Sequence, residues 1–133
     1  MSRRELREQI FKLLFRVEFN TAEEMPDQVK YFFEDDETRA SELDQAEIEV
    51  KFQKISDKLS EIDQMINDKA TGWNVGRMGK VDVAILRLAV YEICFDEDVP
   101  PVVAINEAVE LAKKFGQDES PAFINGVLAK FAE

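Results

Sequence analysis

Arg3, Arg4 and Arg7 fall within five residues of one another, and with Lys12 and Arg16 they put five basic side chains in the first sixteen positions, against two acids, Glu5 and Glu8. Such a cluster of positive charge is where a polyanion would be met, if the chain meets one at all. Against totals of 17 basic and 28 acidic groups, the other 117 residues carry 12 and 26, so an end of +3 is joined to a body of −14. A chain of net charge −11 repels nucleic acid as a whole and meets a polyanion only through this end. Each phosphate contact contributes by releasing counterions, and the acidic body opposes it. Binding is therefore expected to be weak alone and useful only with a partner protein. The alternative is a capped amphipathic helix whose arginines merely face water.

Other chemistry is mostly excluded. The chain has no histidine, which removes the usual general base, the triads built on it and most transition-metal sites. Cys94 is the single cysteine. No disulfide framework exists, and its apolar neighbours predict a buried, inert thiol. Glu34-Asp35-Asp36-Glu37 sets four carboxylates in a row without the loop spacing of a calcium site, which predicts a solvated turn. No catalytic, cofactor or metal site is expected. Ser2-Arg3-Arg4-Glu5-Leu6 looks like the start of a twin-arginine export signal, but Arg7, Glu8 and Lys12 interrupt the apolar stretch such a signal needs. No apolar run is long enough to span a membrane, and the expected location is the cytoplasm.

A helix must position the arginines. The length of 133 residues suits one domain over 1–133, and five glycines and four prolines leave few turns, which favours helices. Ser2 and Glu5 form a capping-box pattern that opens a first helix running to near Asn20. Leu6, Ile10, Leu13, Leu14 and Val17 make its core stripe. Phe11, Phe15 and Phe19 form a second stripe, either buried between neighbours or reserved for a partner. Met25 to Phe33 reads as a short helix with Pro26 in its first turn. From Ser41 to near Ala70 the pattern is helical, with Ile48, Phe52, Ile55, Leu59, Ile62 and Ile66 as a sustained seam. A glycine-rich break from Thr71 to Gly79 holds Trp73. The run Val81 to Ile93 then reads as a central buried helix from Lys80 to near Phe95, interrupted by Arg87 and Glu92. Asp98 is placed to cap the next helix, which ends with Lys113, Lys114 and a C-terminal Gly116. Ser120 is placed to cap a last helix with Pro121 at its start.

Two features of this last segment break local rules. Asn125-Gly126 lies inside the helix, where glycine costs about 1 kcal/mol relative to alanine. Close packing of another helix against Gly126 is one reason to tolerate it, and a hydrogen-bonding duty for the Asn125 amide is the other. The turn from Phe115 to Ser120 gathers a helix end, a helix start and two aromatics, Phe115 and Phe123. Those are the ingredients that hold single-stranded RNA, with rings for bases and amides for phosphates. On physics alone both rings read first as core, ahead of a role in binding.

Three segments resemble the NusB family of bacterial transcription antitermination factors. They are Arg3-Arg4-Glu5-Leu6-Arg7-Glu8, then Val83 to Glu92, and then Val99-Pro100 through Ala104-Ile105-Asn106-Glu107-Ala108 and Phe115-Gly116 to Phe123-Ile124-Asn125-Gly126-Val127-Leu128. Residues 20–70 match only as a helical pattern. The resemblance implies an all-α domain of about seven helices. It also implies binding of boxA-type single-stranded RNA on nascent ribosomal RNA, together with the ribosomal small-subunit protein that acts as NusE. That assembly would modify the elongating RNA polymerase, which this chain would reach indirectly. Carried over by position, Arg3, Arg4 and Arg7 would face phosphates. Phe115, Glu119, Phe123 and Asn125 would line the RNA site, and Phe15 and Asp82 would meet the protein partner. Glu5 interrupts the family's arginine run and Ala122 stands where a lysine would help, so both weaken RNA affinity.

The expectation is thus an RNA-binding adaptor without catalysis, whose cationic end and aromatic corner serve one strand. Two rivals stay open. One is a protein-only interaction domain or homodimer packed through Phe11, Phe15 and Phe19. The other is a stand-alone relative of the helical domain that precedes some ribosomal RNA cytosine methyltransferases.

Overall fold

The Ser2 hydroxyl accepts the Glu5 N–H at 3.0 Å, and the Glu5 carboxylate accepts the Ser2 N–H at 3.3 Å. This capping box starts α1 (Arg3–Val17) where the sequence says it should. The structure, a computed structural model, describes residues 1–132. Glu133, the last residue of the expected domain, lies outside them. Among the described residues there are seven α-helices, one turn of 3-10 helix at Val75–Arg77 and no strand. None of the helices is long and apolar enough to cross a membrane.

The chain falls into two units, Met1–Asp57 and Lys58–Glu133. The first holds α1, α2 (Met25–Glu34) and α3 (Glu42–Ser56). Leu6, Ile10, Phe11, Leu13 and Leu14 of α1 are buried, as are Ile48, Phe52 and Ile55 of α3, and α1 packs against both other helices. The second unit holds α4 (Leu59–Lys69), α5 (Lys80–Phe95), α6 (Pro101–Phe115) and α7 (Ser120–Ala129). Its centre is α5, which packs against α4, α6 and α7, and every residue from Val83 to Glu92 is buried.

That burial includes Arg87, whose Nε and Nη2 each donate to an Asp63 carboxylate oxygen at 2.8 Å. A two-pronged pair of this kind satisfies the charge in place. Removing Asp63 would take both of these bonds from a buried guanidinium, at a cost of about 3 kcal/mol.

Three sequence expectations are corrected. The helix expected from Ser41 to Ala70 is two helices. Asp57 ends the first, its N–H bonding to the Gln53 carbonyl at 2.9 Å and its carboxylate accepting Gln53 Nε2 at 2.8 Å. Lys58, at φ −114° and ψ 10°, then leaves the helical path. The apolar seam keeps its step across this break, so periodicity does not reveal it. Asp98 does not cap α6, which begins at Pro101 with Pro100 as its N-cap residue. The Asp98 N–H instead donates to the Asp96 carboxylate at 3.0 Å, closing the preceding turn. Cys94 is exposed rather than buried. It stands one residue before the end of α5, where the helix is no longer covered on every side. Enough protein still surrounds the sulfur to push the thiol pKa up, against the pull of the Lys69 charge.

Candidate nucleic-acid interface

The cations of α1 divide by position. Arg3 and Arg4 are exposed and Arg7 is half-buried on the first two turns. The Arg3 guanidinium pairs with the Glu47 carboxylate of α3. Beside it the Met1 ammonium meets Asp44 at 3.3 Å, and that charge together with the Ser41 hydroxyl holds the Asp44 pKa below its usual value despite desolvation. Further along, Lys12 lies 3.7 Å from Glu8 one turn back. Arg16 turns inward: its Nη1 donates to the Gln28 carbonyl and side-chain oxygen, each at 3.2 Å, and its guanidinium sits 5.3 Å from the centre of the Phe32 ring. Arg16 is thus a clasp between α1 and α2, and the phosphate-facing candidates reduce to the first two turns.

The second aromatic stripe of α1 runs from core to water. Phe11 is buried, Phe15 half-buried and Phe19 61 % exposed. Their rings form a ladder, with centroids 6.5 Å apart for Phe11 and Phe15 and 5.1 Å apart for Phe15 and Phe19. The inner end of the stripe is therefore core, and its outer end is exposed.

In the second unit the turn between α6 and α7 is built around Ser120. Ser120 does not cap α7, contrary to expectation. It is the first helical residue, it is buried, and its hydroxyl oxygen accepts the Gln117 N–H at 3.0 Å. The hydroxyl also hydrogen-bonds the Asp82 carboxyl in the first turn of α5. Asp82 Oδ1 is buried without a hydrogen-bond partner. Desolvation raises the Asp82 pKa, the Ser120 bond lowers it and the nearby Glu119 charge raises it again, leaving it above the usual aspartate range. Gly116 ends α6, but not through left-handed backbone, since its φ is −92°. A Cβ there would stand 2.6 Å from Ser120 Cβ and 2.8 Å from the Ala112 carbonyl oxygen. The glycine is needed for close approach.

Around this turn lie the expected RNA residues of this unit. Phe115, the last residue of α6, is half-buried with the Lys114 ammonium 5.4 Å from its ring centre. Glu119 is the exposed N-cap residue of α7, Phe123 is half-buried and Asn125 is exposed. Gly126 is also exposed, and a Cβ built on it would meet nothing within 4 Å. No helix packs closely against it, so that reason for the glycine is set aside.

Of the expected site residues, Arg3, Arg4 and Arg7 share the start of α1 in the first unit, where Phe15 lies two turns on. Phe115, Glu119, Phe123, Asn125 and Asp82 belong to the second unit, with Glu119 and Asp82 close enough to feel each other's charge. Sequence reasoning missed Trp73. Its ring meets that of Phe123 edge-on, with centroids 5.8 Å apart and planes at 69°. The available signal was an isolated tryptophan next to Gly72 in a polar break.

Comparison with known proteins gives a consistent picture. The model of the NusB family matches residues 4–133. The chain is 52 % identical over 132 residues to the transcription antitermination protein NusB of Agathobacter rectalis, covering 99 % of this chain and 100 % of that one. Among solved structures it resembles T. maritima NusB at 35 % identity and a TM-score of 0.85, over 99 % of this chain and 91 % of that one. The same fold, at 23 % identity and a TM-score of 0.78, occurs in a crystal structure of antitermination factors NusB and NusE in complex with double-stranded RNA, over 98 % of this chain and 95 % of that one.

Proposed function

The chain belongs to the NusB family, and from that premise we propose that it is a cytoplasmic, non-catalytic RNA-binding adaptor of transcription antitermination. It binds boxA-type RNA jointly with a NusE-type ribosomal protein and acts on the elongating polymerase through that assembly. Arg3, Arg4 and Arg7 contact phosphates, Phe115, Glu119, Phe123 and Asn125 contact bases, and Phe15 and Asp82 meet the protein partner.

The observation that carries this reading is the division of cations along α1. Arg16 is spent on packing against α2, while Arg3 and Arg4 stand exposed at the helix start of a chain matched to the family over residues 4–133. The unpaired, buried Asp82 Oδ1 and the exposed Phe19 beside Phe15 support a protein partner, which would supply a donor to the first and apolar cover to the second. The NusB–NusE complex with RNA supports the pairing of partner and nucleic acid.

Mobility of a labelled boxA-type oligoribonucleotide tests the reading. Retention should be weak with this chain alone and rise strongly when the ribosomal partner is added. Tight, sequence-blind retention without the partner would overturn it, and so would no retention with it. Methyl transfer from S-adenosylmethionine to RNA should be absent.

A further inference from the structure

Trp73 is the single tryptophan of the chain, and half of its surface is in water. An indole is costly to leave exposed, and tryptophan is over-represented where protein surfaces bind other molecules. Here the exposure is not the slack of a loose loop. The Trp73 N–H donates to the Ala70 carbonyl at 2.9 Å across a turn whose third position is Gly72, at φ +79°, where a side chain would be strained. The Lys130 ammonium, just past α7, donates to the Lys69 carbonyl and to Thr71 Oγ1, each at 2.9 Å, and so ties the turn to the end of that helix. On the other side the Val75 N–H donates to Asn67 Oδ1 at 2.8 Å. Three tethers hold the backbone on both sides of Trp73, and its indole lies edge-on to Phe123 with half of its surface uncovered.

The surroundings favour a nucleic-acid strand as the missing cover. Lys69, exposed, places its ammonium 5.9 Å from the Phe131 ring, so positive charge lies on the same rim as Lys130. One turn after Phe123 on α7, Gly126 leaves the helix surface open for close approach. A helical glycine with no internal neighbour carries a propensity cost of about 1 kcal/mol that packing within this unit does not explain.

We propose that Trp73 is a base-stacking residue that extends the aromatic surface of Phe123, taking an unpaired RNA base on its free side. This rests on the RNA-binding reading above and adds to it a residue that the expected site does not contain. Because the turn that carries the indole is already tied down, little backbone ordering is lost when a base stacks on it. Removing one such platform should weaken binding about five- to thirtyfold, the lower part of the range for base–aromatic stacking.

The lone tryptophan supplies its own probe. With 5-fluorotryptophan incorporated, the 19F resonance of this chain reports on position 73 alone. Addition of boxA-type RNA to the chain with its ribosomal partner should shift that resonance in step with binding followed by anisotropy. An RNA with abasic positions should bind with a smaller shift. Trp73→Phe should keep affinity within about threefold and Trp73→Ala should lose the amount given above, with melting temperature checked for both. RNA binding without a 19F shift overturns the inference and leaves the adaptor reading intact, as does a shift produced fully by the protein partner before RNA is added. Absence of RNA binding to the unsubstituted chain and partner overturns both.

Discussion

The Arg3 guanidinium is paired with the Glu47 carboxylate of α3. An arginine at the start of a helix is thus held by an acid that lies 44 residues later in the chain. Both side chains are largely exposed, so the pair contributes little to folding, about 0–1 kcal/mol. Its consequence is for binding, because a phosphate must compete with Glu47 for the same donors. Glu47→Gln should therefore raise RNA affinity about two- to fivefold at low salt, with the gain shrinking as salt is added and the melting temperature nearly unchanged. Anisotropy titrations at several ionic strengths measure this. An unchanged affinity would take Arg3 off the RNA path.

Arg16 and Arg7 separate two roles that composition makes look alike. Arg16→Ala removes the Gln28 hydrogen bonds and the cover over Phe32. It should destabilise the first unit by about 1–2 kcal/mol in denaturant unfolding while leaving the salt dependence of RNA binding unchanged. Arg7→Ala should do the reverse, lowering affinity and flattening the log–log salt slope by about 0.7 for a single-stranded probe. If Arg16→Ala flattened the slope as much, the division of cations along α1 would be wrong.

What the sequence revealed follows from which signals survive without coordinates. The expected limits of α5, Lys80 to Phe95, match the observed helix, because Gly79 and Asp96 bracket a run that is apolar on nearly every side. The capping box at Ser2 was equally legible, since it is a pattern of local chemistry. The break at Asp57 was not: no glycine or proline marks it, and the apolar step runs on unchanged from Ile55 to Leu59. Cys94 was misjudged because apolar neighbours in sequence do not fix the angle a side chain takes at a helix end. Trp73 lay in a loop, where periodicity gives no direction, and its partner Phe123 is fifty residues away. Ser120 has a capping residue's chemistry, but its oxygen is directed back to Gln117 rather than forward into α7.

Gly116 and Gly126 show the same gap between residue type and role, and alanine at each should move stability in opposite directions. At Gly116 the backbone is unstrained for alanine, yet the new methyl would press on Ser120 and the Ala112 carbonyl. Gly116→Ala should cost about 1–3 kcal/mol. At Gly126 the methyl has open space inside a helix, so Gly126→Ala should gain about 0.5–1 kcal/mol. Thermal melts of both variants decide the matter. A gain at Gly126 accompanied by weaker RNA binding would show that the open surface is kept for a ligand.

Asp82 gives a prediction whose sign can be worked out. Desolvation, and then the Glu119 charge, hold its pKa above the ordinary 3.8 in spite of the Ser120 hydrogen bond. Folding therefore favours the protonated carboxyl. Its contribution to stability is fully present below the unfolded pKa and is lost as pH rises through the higher folded value. At neutral pH the ionised group is a liability within this unit, with one oxygen buried and unpaired. Asp82→Asn removes the charge and keeps an oxygen for the Ser120 hydroxyl, so the variant should melt higher than the parent at pH 7. The two should converge as pH falls below about 3.8, where the parent is neutral as well. A gap that stays constant from pH 7 to pH 3.5 would mean that charge at this position is not what strains the fold. If the carboxylate is retained for a donor on the ribosomal partner, the same variant should bind that partner more weakly at pH 7 despite its higher melting temperature, because a charge-assisted hydrogen bond exceeds a neutral one.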